Sequence, residues 1–300
     1  MNQTQKGLLS ALGFSVFWAT TGITVKLLPD LSPTFITTAR CLFAYIALLL
    51  IYASRGQSIW TIREVKKYKA GGWTLLFMMI AYIFMVVLAY QWAPVAEVVL
   101  INGCSPVFVL IYKKVVYKKL PISEFIGALL ALAGLLIVVL PGLLEPTSDN
   151  RMGLIFALMS SALIATYAIL FYELELRKIS PEPFSVTINV FLFGTILFTI
   201  IQFLSSYNDS ILELSTYESL LLVSIGVLST AVPTFCYSFS SITLPPVITT
   251  SFRMLTPVLA TLFAYLIFHS IPQWSVYPGG ALILMGLMTM TLLPRYLKVR

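Results

Sequence analysis

Apolar residues run along this chain in ten stretches, 7–28, 33–53, 71–92, 94–113, 122–141, 152–173, 184–204, 217–240, 246–268 and 273–293. Each is about 20 residues, the length at which a helix crosses a hydrocarbon core. Short alternating strands, the mark of a membrane barrel, do not fit runs this long and continuous. Helices satisfy every backbone group within one segment, so the pattern predicts an all-α membrane protein. Pro33, Pro94, Pro121, Pro141–Gly142, Pro181, Pro183, Pro245 and Pro272 stand at the junctions, where helices must stop. Gln91-Trp92-Ala93-Pro94 leaves almost no loop, so that hairpin is tight.

The pattern occurs twice. An offset of 151 places Pro94 on Pro245, Pro106 on Pro257 and Pro121 on Pro272. One extra residue then brings Gly127 onto Gly279 and Gly134 onto Gly286. Gly7 and Ala19-Thr20 match Gly153 and Ala165-Thr166 at 146, and Ser32-Pro33 matches Ser180-Pro181 at 148. Residues 1–150 and 151–300 therefore read as two five-helix repeats. Five is odd, so the second copy enters the bilayer from the opposite side. Inverted repeats of this kind place a substrate near the midplane between the halves.

Composition narrows the class. Of 300 residues, 59% are hydrophobic and 10% charged, against about 25% charged in soluble domains. The mean hydropathy is +0.93. The net charge of +7 would suggest nucleic acid, but its distribution points to topology. Of the nineteen lysines and arginines, all but Lys26, Arg40, Arg151 and Arg253 fall at the N-terminus, at the C-terminus, or in the even-numbered turns between stretches. By the positive-inside rule both termini are cytoplasmic. Gly7–Leu28 has only Lys6 ahead of it and no convincing cleavage site, so it reads as a retained span.

Three basic residues lie inside stretches. Arg40 is about seven residues into the second and Arg253 about eight into the ninth, where a cation costs about 2.5–3.5 kcal/mol unless it faces water or a counter-charge. Lys26 sits nearer an end and can snorkel. Glu97 is the acidic residue well inside a stretch near the outer face. It is expected to form a structural ion pair with Lys26 or Arg40, or to couple transport to protons, since burial makes a carboxylate easier to protonate. Arg253 has the neutral Asn102 as its repeat mate and no evident acid, so it is the first candidate for meeting a substrate carboxylate or phosphate; Arg40 is the second. Pro106 and Pro257 interrupt their helices and free the carbonyls of Asn102 and Arg253 four residues back. They are the candidate kink and gating positions. Trp18, Tyr82, Tyr167 and Tyr237 fall mid-stretch, where their polar atoms need partners, and join Asn102 as candidate substrate contacts. Gly127, Gly134, Gly279 and Gly286 read as close helix contacts. Cys41, Cys104 and Cys236 have no metal-type spacing, His269 stands alone, and nothing suggests a catalytic group, a metal site or a cofactor.

The duplicated ten-helix plan, Trp18 followed by Lys26, Arg40, and the blocks Pro106…Leu120-Pro121…Gly127…Gly134 and Pro257…Ile271-Pro272…Gly279…Gly286 resemble the EamA branch of the drug/metabolite transporter superfamily. Relatives often carry a glutamate before the short loop of each block; here Lys118 and His269 stand there, so a carboxylate role at those positions is closed. The resemblance implies a multi-pass protein of the bacterial inner membrane that moves small metabolites, with efflux of amino acids or related carboxylate-bearing solutes typical, through a cavity shared by both halves. Partners would be the solute, protons or a counter-transported solute, and the bilayer, with a monomer or weak dimer as the assembly. Two other readings stay open: import of a phosphorylated or nucleoside-like metabolite, and a non-transporting receptor, scaffold or lipid-modifying enzyme.

Overall fold

The computed structural model describes residues 2–54, 69–118, 120–143, 151–204, 214–268 and 274–297. All the regular structure among them is helical. The helices are α1 Gln3–Trp18, α2 Thr21–Lys26, α3 Pro33–Ser54, α4 Lys69–Trp92, α5 Val95–Gly103, α6 Ser105–Tyr112, α7 Ile122–Leu143, α8 Arg151–Leu176, α9 Pro183–Leu204, α10 Thr216–Gly226, α11 Val232–Thr243, α12 Pro246–Ser251, α13 Thr256–Phe268 and α14 Val276–Leu297. Every stretch drawn from the sequence is occupied by one helix or by consecutive short ones. Among the described residues seven helical runs are long and apolar enough to cross a bilayer, while α7 and α14 carry shorter apolar stretches, Ile122–Val138 and Val276–Met290. The run 246–268 is divided by four residues, Phe252–Leu255, wound as a 3-10 turn between α12 and α13.

The ends of the helices follow local chemistry. Asn2 caps α1 and Ser215 caps α10, each in a reciprocal capping box with Gln5 or Glu218; the box satisfies two orphan backbone donors at once. Both α3 and α9 begin on a proline, which loses nothing in a first turn. In each, a threonine one turn in, Thr37 or Thr187, donates back to that proline's carbonyl at 2.7 Å. These helix starts correspond at an offset of 150, not the 148 of the Ser-Pro pairs.

Packing between the two halves comes in matched pairs. A Cβ on Gly127 would lie 2.7 Å from the carbonyl oxygen of Gly286, and one on Gly134 2.5 Å from that of Gly279, with the reciprocal distances 2.5 and 2.6 Å. Helices α7 and α14 therefore cross antiparallel with backbone against backbone, as the glycine spacing predicts. Gly7 in α1 abuts Thr243 and Leu244 at the end of α11, and its counterpart Gly153 in α8 abuts Trp92 and Ala93 at the end of α4. A second set is polar. Ser15 of α1 donates to the carbonyl of Phe252 at 2.8 Å, and its counterpart Ser161 of α8 donates to that of Asn102 at 3.4 Å. Each half thus supplies a hydroxyl to the interrupted helix of the other.

Candidate functional site

Three helical runs break around one cavity, and a fourth is distorted beside it. The first is interrupted between Trp18 and Thr21, the second at Cys104 between α5 and α6, and the third by the 3-10 turn around Arg253. The fourth, between α10 and α11, passes through a π-helical stretch, Val227–Ala231. Irregular backbone at membrane depth is tolerated where it is buried in protein or lines a cavity. Pro106 and Pro257 sit in the first turn of α6 and α13, so the interruptions fall just ahead of them, as expected of residues that cannot donate four back. The sequence reading missed the π stretch; Pro233, four residues beyond Ser229, was its available signal.

These breaks surround a cavity of about 30 Å³, room for about two waters. Trp18, Thr21, Arg40, Tyr82, Asn102 and Arg253 line it, together with Val86, Tyr90, Val99, Gly103 and Thr256. Five of the sequence candidates are thus brought together. The Arg253 guanidinium lies 5.1 Å from the Trp18 ring and 5.3 Å from the Tyr82 ring, and its Nη2 donates to Tyr82 Oη at 3.2 Å. Rings hold a guanidinium by their negative faces, worth about 0.5–2 kcal/mol. Arg40 reaches the wall from α3, where its Nε donates to Thr230 Oγ1 of the π stretch at 3.0 Å. Asn102 Oδ1 accepts from Ser160 Oγ at 2.7 Å. In each case one edge of the polar group is fixed by protein and another is left over.

The leftover edges are the main electrostatic fact. Arg40 and Arg253 are only 2% and 8% exposed, yet Nη1 of each has no partner, nor has Nδ2 of Asn102 or Oγ of Thr21. Among the described residues no carboxylate lines the cavity. Where this chain half-buries another cation it does supply one, since Lys113 pairs with Glu124. Buried polar groups are ordinarily satisfied, and an unpaired donor costs about 1–3 kcal/mol, more when charged.

The other candidates lie elsewhere. Tyr167 and Tyr237 are fully buried behind the wall, their hydroxyls engaged with Ser238 Oγ at 2.7 Å and the Ile164 carbonyl at 2.9 Å. Tyr237 backs Trp18 at 5.2 Å between ring centres, so it supports the site without facing it. Glu97 is in the first turn of α5 and away from the lining. Arg40 takes Thr230 as a hydrogen-bond partner. The Lys26 side chain and His269 lie outside the described residues. Sequence reasoning missed Tyr90, Thr21 and Thr230. Tyr82, Val86 and Tyr90 are spaced by four, one face of α4, and that spacing could have found Tyr90.

Vestibules flank the bundle at opposite ends. One, about 530 Å³, opens between the end of α2, the start of α3 and the end of α4, with Asp30, Thr34 and Gln91 on its wall. The other, about 310 Å³, lies between α6, the end of α8 and the start of α12, with Tyr112, Lys113, Tyr117 and Glu173.

Comparison with known proteins bears on this arrangement. A profile described as the EamA-like transporter family matches residues 5–140 and again 151–292. No curated protein matches the sequence. A solved structure, known only as the crystal structure of a protein, is similar over 98% of this chain and 99% of its own, with a TM-score of 0.81 at 17% identity. At that identity the likeness concerns the fold.

Proposed function

The chain belongs to the EamA-like transporter family, and from that premise we propose that it is a secondary exporter of small carboxylate-bearing, amphipathic metabolites. The protein is an integral multi-pass membrane transporter; the substrate, the direction and the mechanism are this proposal. The observation that carries it is the cavity whose wall, among the described residues, holds two buried guanidinium groups with free Nη1 atoms and no carboxylate. Such groups are retained at membrane depth for a ligand that completes them. The rings of Trp18, Tyr82 and Tyr90 beside them suit the apolar part of an amphipathic solute.

The matched contacts support ten spans arranged as two inverted five-helix repeats, 1–150 and 151–300. Exchanging the halves turns the Gly127–Gly286 contact into Gly279–Gly134 across antiparallel helices. An axis lying in the membrane plane does this. Rocking the halves about it would open the cavity to one vestibule and then the other, with the breaks before Pro106 and Pro257 as the flexible points. Both termini would be cytoplasmic, in a bacterial inner membrane. Glu97 and Lys26 remain proposals for coupling or pairing.

Counterflow tests the transport itself. Proteoliposomes loaded with a mixture of unlabelled carboxylate metabolites should accumulate a labelled member of the mixture with no energy source. A receptor, scaffold or lipid-modifying enzyme would leave label uptake at the level of empty liposomes, and that result would end the proposal.

A further inference from the structure

The lining of the central cavity is unbalanced in a specific way. Among the described residues its polar groups are two guanidinium groups, one carboxamide with a free Nδ2, the Trp18 indole, the hydroxyl-bearing Thr21, Tyr82, Tyr90 and Thr256, and nothing that carries negative charge. Arg40 and Arg253 come from different halves and different helices. Each is held on one side, Arg40 through Nε by Thr230 and Arg253 through Nη2 by Tyr82, and each keeps Nη1 unpartnered. One fixed edge and one free edge make an anchored, pre-oriented donor, the arrangement in which arginine recognises planar oxyanions.

A solute with a single carboxylate, admitted once the cavity widens from its volume of about 30 Å³, would neutralise one guanidinium and leave the other bare. We infer that the site takes solutes bearing two negative charges, one for each arginine. The shared chemistry is a doubly charged oxyanion, either a dicarboxylate or a phosphoryl group. This rests on the transport reading above and specifies the charge its substrate carries. Asn102 Nδ2 and Thr21 Oγ, on the same wall, supply the neutral hydrogen bonds that orient it.

The test is a charge difference at constant shape. Succinate and its half-amide succinamate have nearly the same size and differ by one charge at neutral pH. Purified protein is unfolded thermally in detergent with each, and the concentration giving half the maximal rise in melting temperature is read. Succinate should act at a concentration lower by about tenfold or more, a difference of about 1.4 kcal/mol. Inorganic phosphate, run in parallel, separates the two sources: the arm that stabilises identifies the dicarboxylate or the phosphoryl form. Arg40→Met should bring succinate and succinamate within about twofold of each other while succinamate itself still binds. Where phosphate has no effect, equal action of succinate and succinamate on the wild-type protein, or tighter action of succinamate, would overturn the inference, as would no stabilisation by either succinate or phosphate. All are binding results, so they remain readable if counterflow detects no transport, and active counterflow of singly charged solutes alone would refute the inference while leaving transport intact.

Discussion

Replacing Arg253 with Met weakens solute binding by at least about 30-fold and leaves the melting temperature equal to or above that of the wild-type protein. The two halves of this result have opposite causes. Truncating one side of a buried charge pair costs about 2–5 kcal/mol of binding, because the solute's anion is left without its partner. In the empty protein Arg253 is itself the group without a counter-charge, at 8% exposure and with Nη1 unpaired. Its insertion penalty of about 2.5–3.5 kcal/mol is relieved on substitution. Contact with Trp18 and Tyr82 is worth about 0.5–2 kcal/mol and is lost, but the methionine fills much of the same volume. A purely structural arginine would give the reverse: a lowered melting temperature with unchanged affinity for the exchanged solute.

Two adjacent glycines should respond with opposite sign. Gly279→Ala puts a methyl group where a Cβ would lie 2.6 Å from the Gly134 carbonyl oxygen and 3.0 Å from the Val138 nitrogen. Backbone atoms cannot swing aside, so α7 and α14 must separate, at a cost of about 1–3 kcal/mol. Gly280→Ala meets only the Val258 methyl groups at 3.4 and 3.6 Å, ordinary contact distance. Alanine is preferred over glycine in a helix by about 1 kcal/mol, so this variant should be neutral or more stable. Thermal unfolding of both proteins in one detergent measures the contrast. Equal melting temperatures would mean that the glycine crossing contributes nothing.

The architecture was legible because the bilayer writes it into the chain. A span needs an unbroken apolar run, and a junction needs Pro, Gly or charge, so all ten stretches found helices within a few residues. The glycine crossing was legible for a similar reason: Gly127 and Gly134 recur at one offset as Gly279 and Gly286. The site was legible in part. Arg40, Asn102 and Arg253 declare themselves because polar groups at depth are expensive, and the cavity does contain them. Tyr167 and Tyr237 could not be told from Trp18 and Tyr82 in the same way. Every face of a buried membrane helix is apolar, so periodicity does not say which face meets the cavity and which meets a neighbour. Breaks without a proline in the expected place were also hidden. The Ala19–Thr20 interruption is one, where Thr20 meets Ser229 of a distant segment; the π stretch did have its proline, Pro233.

Access to the arginine cavity from both faces is the claim on which the transport mechanism stands. Thr21 is on its wall with an unpartnered hydroxyl, and cysteine is nearly its size. The measurement is the labelling of Thr21→Cys, with Cys41, Cys104 and Cys236 replaced by alanine, by a membrane-impermeant thiol reagent applied to right-side-out and to inside-out vesicles. Labelling from either side, slowed in both by the transported solute, is the predicted result. Labelling from one side alone, or equal rates with and without solute, would contradict it.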